Sequence, residues 1–114
     1  MYTETKLEKI KNEISNDIKD AMGSKLHKII LYGSYARGDY NDDSDIDIMV
    51  LADIEEDKMS VFRDKVNEVA SRVSLEYDAL VTISIKNKHL FYSRLGILPF
   101  YQNVINEGVE IYGQ

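Results

Sequence analysis

Cysteine is absent from the 114-residue sequence, so disulfide bonds and thiolate metal sites are excluded. No apolar run approaches the roughly 20 residues of a membrane-spanning helix, and the polar, charged N-terminus is unlike a signal peptide. Basic residues are outnumbered, with 14 Lys and Arg against 20 Asp and Glu and a net charge of −6. Because long nucleic acids are held by surfaces rich in Lys and Arg, this balance argues against a long DNA or RNA ligand. We expect one cytoplasmic domain spanning residues 1–114, without a membrane partner.

Two aspartates begin a stretch of alternating acidic and aliphatic residues, Asp45-Ile46-Asp47-Ile48. Side chains of a strand repeat every second residue, so Asp45 and Asp47 would share one face roughly 6–7 Å apart. Two carboxylates in this arrangement repel each other unless a cation lies between them. Mg²⁺ binds carboxylate oxygens at about 2.1 Å and keeps open positions for phosphate oxygens. The pair therefore predicts a divalent metal site.

A Gly-Ser turn precedes this acidic pair and supplies groups that bind anions. Gly33 lets the backbone adopt a positive φ and approach a ligand closely. Ser34 is expected to begin a short helix over residues 34–37, whose N–H groups favour anions. The Ser34 hydroxyl adds a donor and Arg37 adds a cation. Together the two halves predict a site for a nucleoside triphosphate with Mg²⁺, where transfer chemistry depends mainly on positioning and charge neutralisation.

Other motifs were compared with the same loop. A calcium-binding EF-hand loop that starts at Asp39 needs Gly at its sixth position and Glu at its twelfth, which here are Ser44 and Val50. A P-loop needs Lys and Ser or Thr after its second glycine, where this chain has Asp39 and Tyr40. The remaining alternative is an acidic hairpin loop that keeps a strand edge soluble.

The apolar pattern predicts alternating helices and strands, and hence a two-layer α/β arrangement. Amphipathic helices are predicted over residues 7–22 and 59–73, and a last helical region over 90–106, interrupted near 96–99. Strands are predicted over 27–32, 45–51 and 77–85, with a short terminal strand over 109–112.

The spacing Gly33-Ser34 … Asp45-x-Asp47 resembles the nucleotidyltransferase superfamily of polymerase β. Within it, the segment GSYARGD…SDIDIMV is similar to the minimal nucleotidyltransferases (MNT), the MntA-like antitoxins of HEPN/MNT toxin–antitoxin pairs. The resemblance covers about residues 25–84. It implies a two-layer palm, with a mixed sheet of three or four strands and helices packed on one face.

The resemblance also implies roles for individual residues. Asp45 and Asp47 would bind two Mg²⁺ ions, while Gly33, Ser34 and Arg37 would hold the phosphates of ATP. The superfamily uses a third carboxylate, and Asp78 in the predicted third strand would bind metal with the other two and accept the proton of the incoming hydroxyl.

Alternatives to that third residue remain open. Glu76 lies on the same face of the predicted strand and is the fallback candidate. Asp78 is otherwise an ordinary solvent-exposed residue at the start of a strand.

The function implied by the family is transfer of AMP from ATP to a tyrosine hydroxyl of a cognate HEPN ribonuclease toxin. The chain would then form a hetero-oligomer with the toxin, or a homo-oligomer. Two alternatives remain: an antitoxin that only binds and masks its partner, and an adenylyltransferase for small molecules resembling the enzymes that modify aminoglycosides.

Several further residues have two interpretations. Lys86, Lys88 and Arg94 could reach a triphosphate from beyond the third strand, or form an ordinary basic surface. Tyr35 and Tyr40 flank the Gly-Ser turn and could stack on a nucleotide base, although exposure at an edge explains them equally well.

Overall fold

The computed structural model describes residues 5–41 and 43–113. The elements in chain order are α1 (Lys6–Met22), β1 (Leu26–Tyr32), α2 (Ser34–Arg37), β2 (Ile46–Ala52), α3 (Met59–Tyr77), β3 (Val81–Asn87), α4 (Lys88–Arg94), α5 (Pro99–Glu107) and β4 (Val109–Gly113). None of the helices in the described part of the chain is long and apolar enough to cross a bilayer.

The four strands form one mixed sheet in the order β3-β2-β1-β4. β1 is antiparallel to both β2 and β4, whereas β2 and β3 are parallel. A parallel pair needs a long crossover connection, which α3 provides here. The register places Asp47 between Tyr32 on β1 and Thr82 on β3. The predicted mixed α/β sheet is therefore confirmed, and the short terminal strand forms its β4 edge.

The main hydrophobic core lies between one face of the sheet and the helices α1 and α3. Ile46, Ile48 and Val50 of β2 are at most 3% exposed and belong to this core. They are the alternate residues that the sequence pattern assigns to the face opposite Asp47. The alternation of β2 therefore aims its aliphatic residues at α1 and α3 and leaves Asp47 on the second face.

The second face of the sheet carries a smaller core, which the predicted arrangement with helices on one face did not include. Met49 and Leu51 of β2 are fully buried, and they form this core with Phe91 of α4 and Val104 of α5. Both faces of β2 are thus covered along most of its length, which explains its nearly continuous apolar sequence. Because α5 packs on the same face as Asp47, it lies next to the predicted metal site.

The third strand begins later than predicted. α3 continues through Tyr77, and Asp78 ends it in the left-handed region at φ 50° and ψ 51°, where its N–H donates to the Ser74 carbonyl. Tyr77 packs against the main core and lies four residues after the buried Val73. Helical spacing places these two residues on one face, so the apolar pattern that predicted a strand here fits a helix as well. The placement of Asp78 in a strand was therefore wrong, because β3 starts only at Val81.

Candidate active site

Gly33 connects β1 to α2 and is required for two reasons. Its backbone lies at φ 78° and ψ −155°, a region that is essentially restricted to glycine. A Cβ at this position would lie 2.5 Å from Oδ2 of Asp47, far inside van der Waals contact. The close approach of the turn to the carboxylate is therefore possible only with glycine. The short helix predicted to start at Ser34 is confirmed as α2.

Asp47 is half-buried and firmly placed by its neighbours. Its Oδ1 accepts a hydrogen bond from the Thr82 hydroxyl at 2.9 Å, while its Oδ2 faces Gly33. Asp45 is exposed and comes directly before β2, at the same end of the sheet. One carboxylate is therefore oriented by the fold, whereas the other is open to solvent.

A cavity of about 500 Å³ brings the two halves of the motif together. Its walls include Ser34 and Arg37 on one side and Asp45 and Asp47 on another. Helix α5 closes a third side with Phe100, Asn103, Val104 and Glu107, and Asp43 also contributes. The groups predicted to bind phosphate and those predicted to bind metal thus line one space.

Arg37 is held at the rim of this cavity by two carboxylates. Its Nε lies 3.2 Å from Oδ2 of Asp39, and its terminal nitrogen Nη1 lies 3.6 Å from Oε2 of Glu107. These partners, Asp39 foremost, raise the pKa of the already cationic guanidinium. A phosphate group in the cavity would compete with these carboxylates for the N–H groups of the guanidinium.

Tyr32 places a neutral phenol next to Asp47. Burial raises the pKa of Tyr32, the Asp47 carboxylate raises it further, and a hydrogen bond with Ser84 opposes both. The hydroxyl therefore remains protonated at neutral pH. Its ring packs edge-on against Phe100 with centroids 5.7 Å apart, which connects β1 to α5 across the cavity.

Asp78 lies outside this cavity. It is exposed at the end of α3 and lines a second, larger cavity of about 770 Å³, which shares Asp43 and Asp45 with the first but does not include Asp47. Within residues 5–41 and 43–113, no group of three or more His, Cys, Asp or Glu side chains could jointly hold a metal. The third-ligand role of Asp78 therefore stays a prediction.

Glu76, the fallback candidate, belongs to a different region. It lies on α3 and raises the pKa of Glu13 on α1, chiefly through a hydrogen bond between the two carboxyl groups. Glu76 therefore lies beside α1, and it lines neither of the two cavities that include Asp45.

Of the basic residues with two interpretations, Lys88 begins α4 directly after β3. Lys86 pairs with Leu51 at the far end of β3, four positions beyond Thr82 and therefore roughly 13 Å from it. It lies near Arg94 and away from Asp47. Tyr35 and Tyr40 stack on each other, with centroids 4.3 Å apart and planes at 11°, and both line the larger cavity.

Sequence reasoning did not identify several residues of the candidate site. Thr82 had a usable signal, because it alternates with buried Val81 and Ile83 on a strand next to the acidic one. The contribution of α5 had none, since its side chains reach the cavity only through packing of distant elements on the second face of the sheet.

The fold and this cavity define a nucleotide-processing domain of the palm type, and comparisons with known proteins specify it. The model of the nucleotidyltransferase domain matches residues 7–107. The chain therefore belongs to the nucleotidyltransferase domain family, which confirms the enzyme class expected from the motif.

Individual relatives agree with this assignment. A Methanocaldococcus jannaschii protein provisionally named protein adenylyltransferase MJ0604 is 33% identical over 105 residues, which cover 92% of this chain and 97% of that protein. A toxin–antitoxin complex crystallised with AMP-PNP is similar in structure, with a TM-score of 0.60 and 27% identity over 91% of this chain and 73% of the other. The fold is also shared with a complex of a tri-AMPylated Shewanella oneidensis HEPN toxin and an MNT antitoxin, at a TM-score of 0.56 and 23% identity, covering 96% and 74% of the two chains.

Proposed function

We propose that residues 1–114 form a Mg²⁺-dependent adenylyltransferase that transfers AMP from ATP to a tyrosine hydroxyl of a HEPN-type toxin and thereby acts as its antitoxin. The observation that carries this proposal is the cavity shared by the Gly33-Ser34 turn and the Asp45/Asp47 pair. The name of the M. jannaschii relative supports protein adenylylation, and the toxin–antitoxin complex with AMP-PNP supports the partner and the nucleotide.

The residues present fit Mg²⁺, because Asp45 and Asp47 offer hard carboxylate oxygens on one wall of an open cavity. Bound there, two Mg²⁺ ions would neutralise charge on the triphosphate. Thr82 keeps Asp47 in place by occupying its Oδ1, and Gly33 leaves room for Oδ2. The Ser34 hydroxyl would donate to the β- or γ-phosphate, and Arg37 would exchange a carboxylate partner for phosphate oxygen.

In the transfer step, the tyrosine oxygen forms a bond to the α-phosphorus, and the bond from that phosphorus to the bridging oxygen of the β-phosphate breaks. Pyrophosphate leaves toward Ser34 and Arg37. The phenolic proton would go to Asp78, which requires the acceptor to enter through the larger cavity that Asp78 and Asp45 both line. Positioning and charge neutralisation would supply most of the rate enhancement.

The decisive experiment uses ATP labelled at the α-phosphate, Mg²⁺ and the protein encoded by the neighbouring gene. We expect the label on a tyrosine of that partner, and we expect the Asp45→Asn/Asp47→Asn double variant to lose it. An Asp57→Asn/Asp64→Asn variant removes two exposed carboxylates far along the chain and should label normally. Undiminished labelling by the Asp45→Asn/Asp47→Asn variant would refute the proposal.

A masking antitoxin is the second candidate, and one observation favours it. Asp78 does not join Asp45 and Asp47 in a metal-binding group among the described residues, so a third carboxylate ligand is not in place. In that case the Asp45→Asn/Asp47→Asn variant would still neutralise the toxin in cells at normal expression, although it transfers no AMP. Loss of neutralisation together with loss of transfer would eliminate this candidate.

A further inference from the structure

A small cavity at the far end of the sheet collects basic side chains. Lys86 at the end of β3, Arg63 on α3 and Arg94 at the end of α4 line a space of about 170 Å³. The parallel register places this space at the opposite end of β2 and β3 from Asp47 and Thr82. These three residues are called the basic cluster below.

The basic cluster has no carboxylate partner in the part of the chain that the structure describes. Within residues 5–41 and 43–113, none of its three members makes an ion pair or a side-chain hydrogen bond, whereas Arg37 and Arg72 both pair with carboxylates. Glu56 is the only acidic residue that lines the cavity in the described chain, and it forms no ion pair with the cluster. Three cations thus line one small space in a chain whose net charge is −6, and like charges around one space repel one another.

The walls of this cavity are well fixed. The Asn87 side chain donates to the Ile54 carbonyl at 2.6 Å and accepts from the N–H groups of His89 and Leu90 at 2.9 and 3.1 Å. Phe91 is 1% exposed, and its ring stacks on Tyr101 at 4.5 Å. A preorganised wall with three cationic side chains around it is suited to a compact anion.

We propose that the basic cluster binds a phosphate group. Guanidinium groups match the oxygens of phosphate with paired, charge-assisted hydrogen bonds, and the lysine adds a point charge. The cavity has about a third of the volume of the 500 Å³ active-site cavity, so it suits one phosphate group and not a triphosphate. The group could belong to a small phosphate compound or to the backbone of a nucleic acid.

The site is connected to the active-site cavity through a single helix. Tyr101 of α5 lines the cavity of the basic cluster. On the same helix, Phe100, Asn103 and Glu107 line the active-site cavity. A phosphate bound by the basic cluster would therefore contact the element that forms one wall of the proposed nucleotide site. The inference itself depends only on the basic cluster and stands whether or not the protein transfers AMP.

The test is a calorimetric titration of the protein, residues 1–114, with inorganic phosphate in a buffer that contains EDTA and little chloride. EDTA removes divalent ions, so that the carboxylates of Asp45 and Asp47 are not neutralised and disfavour phosphate in the active-site cavity. We expect one saturable site, with affinity at least 10-fold lower in an Arg63→Gln/Arg94→Gln variant. A Lys9→Gln/Lys25→Gln variant loses the same charge from exposed positions elsewhere and should bind as the unmodified protein does.

Equal weakening in both double variants would show a general effect of net charge and overturn the proposal, as would the absence of saturable binding by every phosphate probe. AMP and a short single-stranded RNA, titrated in the same way, distinguish the two sources of the phosphate. Tighter binding of AMP or phosphate indicates a small compound, and tighter binding of the RNA, lost in the Arg63→Gln/Arg94→Gln variant, indicates a nucleic acid.

Discussion

The two ends of the parallel pair β2 and β3 carry opposite charge and were built in different ways. At one end, Asp45 and Asp47 face the Gly33-Ser34 turn across a cavity, and all four residues come from 15 consecutive positions of the chain. At the other end, Arg63, Lys86 and Arg94 come from α3, β3 and α4. The acidic end is a local motif at the start of the interior strand β2, whereas the basic end exists only because three distant elements pack together.

The difference also concerns how each charge is balanced. Asp47 accepts a hydrogen bond from Thr82 and lies next to the neutral phenol of Tyr32, so the protein orients its charge without cancelling it. The basic cluster has no such partner among the described residues. The two proposed ligands, a metal-bound nucleotide and a phosphate group, therefore have opposite requirements and should be separable by their dependence on metal.

The largest expected effect is the coupling of ATP binding to Mg²⁺ at the acidic end. With ATP at about 100 times its dissociation constant, binding should add about 2.7 kcal/mol to the free energy of unfolding. We expect this stabilisation in thermal melts only when Mg²⁺ is present, and not in the Asp45→Asn/Asp47→Asn variant. Equal stabilisation by ATP in EDTA would mean that the acidic pair does not hold the metal.

Gly33 sharpens the contrast, because its backbone is part of the acidic end. Gly33→Ala forces a Cβ to within 2.5 Å of Asp47 Oδ2 at φ 78°, and strain of this kind costs of order 1–3 kcal/mol. Gly23→Ala is the matched control, since Gly23 also has positive φ, at 59°, but a Cβ there meets nothing within 4 Å. Urea unfolding should show a loss of stability from backbone strain in both variants and a larger loss in Gly33→Ala. AMP transfer should be lost in Gly33→Ala and retained in Gly23→Ala. Normal transfer by Gly33→Ala would contradict the close approach.

Thr82 tests whether orientation of Asp47 matters separately from its charge. Thr82→Val keeps the shape of the side chain and removes the hydroxyl that donates to Oδ1. Groups that orient metal ligands typically contribute about 10–100-fold to metal affinity or activity. We expect the Mg²⁺ concentration for half-maximal transfer to rise about 10-fold in Thr82→Val and to return toward the original value in Thr82→Ser. An unchanged requirement for Mg²⁺ would show that Asp47 needs no such support.

Much of the acidic end could be predicted from the sequence, because its geometry is local. A glycine before a serine predicted the positive φ and the start of α2, and alternation predicted which residues of β2 face α1 and α3. The break between α4 and α5 was also predicted, since Pro99 favours the first turn of a helix and disfavours its interior.

The remainder depends on contacts that no short pattern encodes. Residues 74–80 satisfy helical and strand spacing equally well, so the end of α3 and the location of Asp78 were decided by packing against the main core. The wall that α5 adds to the active-site cavity follows from how the second face of the sheet is covered. Arg63 and Arg94 line one cavity because α3 and α4, on opposite faces, both reach the same end of the sheet. Lys86 and Arg94 could be singled out from the sequence as basic residues, but not as neighbours of Arg63.

The smallest expected effect comes from a third charged region, which lies between α1 and α3. Glu76 and burial raise the pKa of Glu13, with Asp17 adding to the shift and Arg72 opposing it. The folded protein therefore favours the protonated form, so the stabilising contribution is present at low pH and is lost as the pH rises through the raised pKa.

Glu13→Gln imitates the protonated form. It should increase the free energy of urea unfolding at pH 7.5 by roughly a few tenths of a kcal/mol and leave it unchanged near pH 4. The exposed Glu55→Gln should show no such pH dependence, and destabilisation by Glu13→Gln at pH 7.5 would mean that Glu13 acts as a carboxylate. In this region the raised pKa of Glu13 and the cation of Arg72 both reduce the repulsion among the carboxylates, whereas at Asp45 and Asp47 we propose that Mg²⁺ has this role.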